Sequence, residues 1–501
     1  MTGETLQLPP NWVEIKLGDI IELAYGKGLP KESRNTDGKY PVYGSNGIVG
    51  YHNQCLITGP AIIVGRKGAA GIPTYAREDC WPIDTTYFIQ PKNVYDLSFV
   101  YYLIRHLRLD QFDRSTAIPG LNRDDAYALR IGLPPLNEQK RIVAKIEELF
   151  SELDKGIENL KTAREQLKVY RQAVLKHAFE GKLTAHWREQ NKDKLEPANQ
   201  LLERIKRERE THYQQQLKEY AATIKSWEKN GSKGKKPSKP RAPEKPDKPN
   251  PEHLQKLWVA PETWQWVQIG DFAFVTKLAG FEYTDYVKYD DTGDLPVIKA
   301  ENAGLHGFKP TNYSRVHSSA VSHLKRSHLM GGEILVVFVG AGTGNVAMVP
   351  NDQNFFLGPN VGMIRPESDV INSRYIEFFL RSPMGKDMIL ATVKAVAQPS
   401  ISMGTIRQTP VILPSLLEQE EIVKRLTKNL SYIDCIEDEI EVNLQKSEAL
   451  RQSILNKAFS GKLVAQDPND EPASLLLERI RAEKEAQKTE SKNPKTKRNA
   501  A

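Results

Sequence analysis

The sequence predicts an α+β fold in which two mixed α/β domains are separated by two long helices pairing as an antiparallel coiled coil, the halves forming a pseudo-twofold tandem repeat. Three observations predict it. The chain is written twice, two proline-free stretches carry apolar residues at every seventh position, and the segments before them break into short apolar runs punctuated by Gly, Asn and Pro.

The repeat is direct. Leu133-Pro134-Pro135-Leu136-Asn137-Glu138-Gln139 returns 280 residues later as Leu413-Pro414-Ser415-Leu416-Leu417-Glu418-Gln419. At the same offset Ile142-Val143, Arg171-Gln172, Leu175, Ala178-Phe179 and Gly181-Lys182-Leu183 return as Ile422-Val423, Arg451-Gln452, Leu455, Ala458-Phe459 and Gly461-Lys462-Leu463. Glu196-Pro197-Ala198 and Leu201-Leu202-Glu203-Arg204-Ile205 reappear from Glu471 and Leu476, the offset falling to 275. Upstream, Trp12 with Leu17-Gly18-Asp19 matches Trp264 with Ile269-Gly270-Asp271 at an offset of 252, so the interior of the second copy is 28 residues longer. A common frame around divergent interiors suits one scaffold carrying two different recognition surfaces. The expected division is 1–132 for the first domain, 133–190 for the first long helix, and 191–259 for short helices and a basic Pro/Lys-rich linker. It continues with 260–412 for the second domain, 413–465 for the second long helix and 466–501 for a short helix and basic tail.

Between Glu138 and Phe179, Ile146, Leu153, Leu160, Leu167 and Val174 recur every seventh residue. Ile142, Leu149, Ala163 and Tyr170 form a second row, interrupted at Gly156, which completes a coiled-coil seam. The other copy carries Leu426, Ile433, Ile440, Ser447 and Ile454 in one row and Ile422, Ile436 and Leu450 in the other, with Asn429 and Asn443 as polar exceptions. Each helix would run about 60 Å at ~1.5 Å per residue, with Pro135 or Pro414 before its start and Gly181 or Gly461 after its end. Neither can bury its stripe alone, so mutual antiparallel pairing is the economical solution. The same periodicity also fits a dimerisation coiled coil or an internal strut, in which the asparagines only fix register.

In residues 12–132 and 264–412, runs such as Pro60–Gly65 and Gly332–Gly340 read as strands, and Ser98–Arg108 and Ser373–Arg381 as shorter helices. Candidate nucleic-acid contacts in the first domain are Tyr43, Ser45, Asn46, Arg66, Lys67, Arg105, Arg108 and Arg114; in the second they are Lys299, Asn302, Arg315, Lys325, Arg326, Lys394 and Gln398. Arg and Lys suit phosphate or guanine, Asn and Gln suit adenine. The alternative reading of each is solvated surface charge.

Several motifs mimic catalysis. Gly340-Ala341-Gly342-Thr343-Gly344 resembles a nucleotide loop, but Asn345-Val346-Ala347-Met348-Val349-Pro350 reads as a returning strand, which favours a hairpin turn. His317, His323 and His328 lack the spacing of a zinc site. There is no GxxxxGK[ST] loop and no Asn/Asp-Pro-Pro-aromatic tetrapeptide, so no catalysis and no bound metal are expected of the chain.

With 39% hydrophobic and 27% charged residues over 501 positions and no run of 18 apolar residues, several soluble units in the cytoplasm are expected, without membrane contact. A net charge of +7 is compatible with a polyanionic partner. Cys55, Cys80 and Cys435 match neither a disulfide framework nor a metal knuckle. The Lys- and Pro-rich stretch 225–256 and the tail from Lys484 read as extended tethers.

Taken together, the paired Leu-Pro-x-Leu-x-Glu-Gln segments, Trp12 and Trp264 with their Gly-Asp pairs, and Tyr40-Pro41-Val42-Tyr43-Gly44-Ser45-Asn46-Gly47 resemble the specificity subunit of type I restriction-modification enzymes. The resemblance covers nearly the whole chain. It implies two target recognition domains, each reading one half of a bipartite site in double-stranded DNA, with the helices setting the unread spacer and docking two modification subunits. It places S-adenosylmethionine, ATP and Mg on the modification and ATP-driven restriction subunits, and no cofactor on this chain. It also draws attention to the loops ending at Asn122 and around Ser400, which are similar to positions near DNA in such domains. The competing readings are a single-chain DNA adenine methyltransferase or nuclease, and a coiled-coil assembly protein with no DNA role.

Overall fold

The longest uninterrupted hydrogen-bonded elements are two helices of 44 residues each, Leu136–Phe179 and Leu416–Phe459. Proline is absent from both, and both stop in the same way. Gly181 and Gly461 each take φ +70°, their N–H groups donate to the carbonyls of Ala178 and Ala458, and the next N–H groups donate to His177 and Lys457. This double closure at a left-handed glycine satisfies the last helical carbonyls. A computed structural model of the chain describes residues 7–112, 120–232, 236–240, 242, 261–391 and 400–492. They fall into two compact units, residues 1–162 with 439–501, and residues 163–438.

In the first unit the start of the first long helix runs antiparallel to the end of the second. Asp154 pairs with Arg451 inside the second helix, whereas the earlier residues Glu138 and Arg141 meet Gln466 and Asp470 beyond its C-terminal end, Arg141 and Asp470 at 2.6 Å. The second unit repeats the arrangement. Glu418 accepts from Thr184 and Arg188 at 2.7 and 2.8 Å, and Asp434 pairs with Arg171 at 2.5 Å. Arg171 and Asp434 are the repeat counterparts of Arg451 and Asp154.

Ile146, Val174, Leu426, Ile433, Ile440 and Ile454 are buried, while Leu153, Leu160 and Leu167 are half-buried. The second predicted row holds at the helix starts, where Ile142 and Ile422 are buried, and needs correction farther on: Tyr170, Ile436 and Leu450 are 54%, 44% and 49% exposed. A helix of 3.6 residues per turn drifts away from a seven-residue row, and a single partner helix covers only one stripe. Phe150 and Leu430, each four residues after a member of the first row, are buried instead.

Each domain is closed by a two-stranded antiparallel ribbon, Val13–Lys16 with Arg130–Leu133 and Gln265–Gln268 with Pro410–Leu413. The ribbon delivers a tryptophan to the start of the long helix. Trp12 Nε1–H donates to Glu138 at 3.0 Å and Trp264 Nε1–H to Glu418 at 2.9 Å, with both carboxylates buried. The neighbouring Gln139 accepts from the N–H of Asp96 and donates to the Pro134 carbonyl; Gln419 accepts from Asn372 and donates to Pro414 and Val370. Asp96 and Asn372 cap the helices Leu97–Leu107 and Ser373–Arg381. The repeated Glu-Gln pair therefore ties ribbon, long helix and short helix together through groups that would be costly to bury unpaired.

The first domain holds an antiparallel four-stranded sheet, in the order Ala24–Tyr25, Thr86–Ile89, Ala61–Gly65, Pro73–Ala76. A three-stranded sheet of Gly47–His52, Tyr40–Gly44 and Trp81–Pro82 accompanies it. The second domain repeats the four-stranded sheet with Ala273–Lys277, Val361–Pro366, Ile334–Val337 and Val346–Met348. Its companion sheet has four strands, Arg315–Val316, Leu295–Ile298, Phe355–Leu357 and His328–Leu329, beside a small hairpin at Ala303–Phe308. The core of the first unit joins distant segments: Trp12, Phe99 and Ile104 cluster with Ile454, Phe459, Leu476 and Ile480. Phe99 and Phe459 lie ring to ring at 5.3 Å, and the N–H of Ala473 donates to Asn11.

Candidate nucleic-acid interface

One end of the four-stranded sheet in the first unit gathers five of the predicted residues. Strand Ala61–Gly65 delivers Arg66, whose N–H donates to the Thr85 carbonyl at 2.8 Å and whose carbonyl accepts from Leu121 at 3.0 Å. Ser45 Oγ–H donates to the same Thr85 carbonyl at 2.8 Å, and Asn46 is exposed beside it. Lys67 is exposed and bridges to Gly120, and Asn122 caps the helix Arg123–Tyr127 by accepting from the N–H of Asp124. At their centre lies Tyr25, 52% exposed, with the guanidinium groups of Arg66 and Arg123 over its ring at 5.4 and 5.3 Å. Tyr87 supports it from below at 5.1 Å, its own hydroxyl pushed up to about 12, mainly by burial. Tyr25 and Arg123 were not singled out from the sequence; their proximity arises from strands and loops that only the fold brings together.

The second unit builds the same place differently. Lys277, at the repeat position of Tyr25, lies over the ring of Phe338 at 4.6 Å, and Phe338 follows its strand as Arg66 follows Ala61–Gly65. Ser400 is exposed and bridges to Val339. The glycine loop joins the antiparallel strands Ile334–Val337 and Val346–Met348, with Gly340 and Gly344 at φ +107° and +86°, so it is a hairpin turn.

Other predicted residues lie elsewhere. Tyr43 is a core residue packed with Ile57, Ile63 and Cys80, which corrects its assignment to an open loop; burial pushes its hydroxyl up. Asn302 is likewise buried, accepting from Lys299 N–H and donating to Lys309 and Thr311, so its amide fastens a turn rather than facing a base. Arg315 directs its fork to the carbonyls of Gly293 and Asp294 at 2.6 and 3.1 Å. Arg105 lies over Tyr101 and Phe150, a packing contact with the long helix, and Arg108 ends its helix in the left-handed region beside Asp110.

Lys299 donates to Ser314 and covers Tyr289, and Arg326 pairs with Glu282 at 2.5 Å. Lys325 lines a shallow cavity of about 340 Å³ with Ser318, Ser319, Ser322 and His328. Arg114, Lys394 and Gln398 lie outside the described residues.

His317, His323 and His328 have separate partners, namely Asp290, the ring of Tyr286 and the Val321 carbonyl. Among the described residues no group of three His, Cys, Asp or Glu could hold a metal, and no helix is long and apolar enough to cross a membrane.

Comparison with known proteins returns one family over both copies. The type I restriction modification DNA specificity domain matches residues 9–162 and again 261–445. The chain is 26% identical over 496 residues to the type I restriction enzyme EcoDI specificity subunit of Escherichia coli, covering 96% of this chain and 97% of that subunit. It is 28% identical over 364 residues to the EcoBI specificity subunit of Escherichia coli, covering 71% of this chain and 64% of that one. A chain from a solved type I R-M system, studied for its complex assembly and conformational transition, has the same fold at 16% identity, with a TM-score of 0.61 over 91% of this chain and all of that one.

Proposed function

The chain belongs to the type I restriction modification DNA specificity family and is a non-catalytic specificity subunit, and from that premise we propose that its two α/β domains each read one half of a bipartite site in double-stranded DNA. The observation that carries this reading is the preserved frame with exchanged chemistry at its rim: Tyr25 and Arg66, with Arg123 beside them, stand in one domain where Lys277 and Phe338 stand in the other. Two readers built alike but tipped differently suit two unlike half-sites. Arg66, Lys67, Ser45, Asn46 and Asn122 are the contacts we assign to the first domain. In the second they are Lys277 and Ser400.

The two long helices set the spacer and offer the docking surface for two modification subunits. Methyl transfer from S-adenosylmethionine belongs to those subunits, and ATP- and Mg-dependent cleavage to restriction subunits joining the same assembly, all in the cytoplasm. Long-read mapping of methylated sites in cells expressing the chain with its modification subunits should return one asymmetric motif in two parts. Inserting four residues near Leu160 lengthens the helix by ~6 Å, about two base-pair steps of ~3.4 Å, and should change the spacer while both half-sites stay the same. Methyl transfer to DNA by the purified chain alone would instead support a single-chain methyltransferase.

A further inference from the structure

The slot occupied by Arg66 in the first unit and Phe338 in the second is the same piece of backbone. Arg66 N–H donates to Thr85 and its carbonyl accepts from Leu121; Phe338 N–H donates to Asn360 and its carbonyl accepts from Ile401. The following residues, Lys67 and Val339, bridge to Gly120 and Ser400. Opposite the slot stand Tyr25 and its repeat counterpart Lys277. A cation and a ring are thus present in both units with their positions traded.

Packing alone gives no reason for the trade. Tyr25 is half exposed and Lys277 exposed, so neither fills a core, and the Nε of Arg66 is buried without an acceptor among the described residues. A ring under a guanidinium fixes its plane while leaving its outer N–H groups free to bond, and a planar fork matches the O6 and N7 acceptors of guanine. An ammonium over a phenyl ring presents a rounder donor to the same groove edge.

We propose that the Arg66–Tyr25–Arg123 stack and the Lys277–Phe338 pair are the specificity-determining elements of their units, each fixing one base pair of its own half-site, with Arg66 reading a guanine edge. This rests on the bipartite reading above. Tyr25 and Phe338 act as positioning residues, holding the cation at the angle the groove requires.

The test uses the full chain with its modification subunits and DNA randomised through both half-sites, scored by methylation mapping. Arg66→Gln should lose roughly 10- to 100-fold of base preference at one position of one half-site, leaving the other half-site and the spacer unaltered. Lys277→Gln should do the same in the opposite half-site, and Arg66→Lys should retain part of the original preference. If Arg66→Gln lowers methylation of all sequences equally, or leaves the motif unchanged, the inference fails while the bipartite reading stands. A wild-type motif without two parts removes the bipartite reading itself. Should Arg66→Gln not fold, Arg123→Gln and Lys277→Gln carry the same discrimination.

Discussion

Glu138 shows how much one side chain holds in place. It accepts from the Trp12 indole and from Gln466 at a buried site, and burial pushes its carboxyl above the ordinary range. The folded chain therefore binds this proton more tightly than the unfolded chain does. The stability linked to it is fully present below the unfolded pKa and is lost as pH rises through the folded one. Melting temperatures of wild type and Glu138→Gln measured from pH 4 to 8 should converge at the acid end and separate in favour of the variant above it; parallel curves would contradict this. Trp12→Phe removes one bond to that carboxylate and should cost about 1–3 kcal/mol.

At this scale the sequence discloses residue type far better than direction. Arg66 and Arg315 look alike as letters, yet one guanidinium covers an open ring and the other is committed to two main-chain carbonyls. Tyr43 sits in a Gly- and Asn-rich stretch that reads as a loop, and strand pairing on both sides turns it inward.

The helices were the most legible elements, because periodicity and flanking Pro and Gly are local signals. The later part of their second row was not legible, since which flank is covered there depends on a partner remote in sequence. The ends should be sensitive: Gly181→Ala forces a side chain into the left-handed region and against Pro261, costing about 1–2 kcal/mol or more. Gly156 makes the opposite prediction. It lies mid-helix with open space where a Cβ would sit, so Gly156→Ala should stabilise by about 1 kcal/mol. Urea unfolding of both variants measures the pair, and a loss of stability in Gly156→Ala would contradict the second prediction.

For the molecule as a whole, the repeat foretold two domains and two helices, but not that each compact unit is assembled from both copies. Nothing local in Trp12 or Phe99 announces Phe459 or Ile480 as core neighbours. A chain ending at Asp438 keeps all of the second unit and lacks part of the first unit's core. Limited proteolysis with mass spectrometry should then find the second domain protected and the N-terminal domain cut; equal protection of both would show that the domain closes without its distant helix.

That contiguity has a meaning in time. During synthesis the second unit is complete once Asp438 has left the ribosome, whereas the first domain, although made earliest, must wait for Phe459 and Ile480 before its apolar face is covered. The order of birth and the order of folding are therefore reversed in this chain, and the N-terminal domain is the part most exposed to chaperones and proteases while translation proceeds.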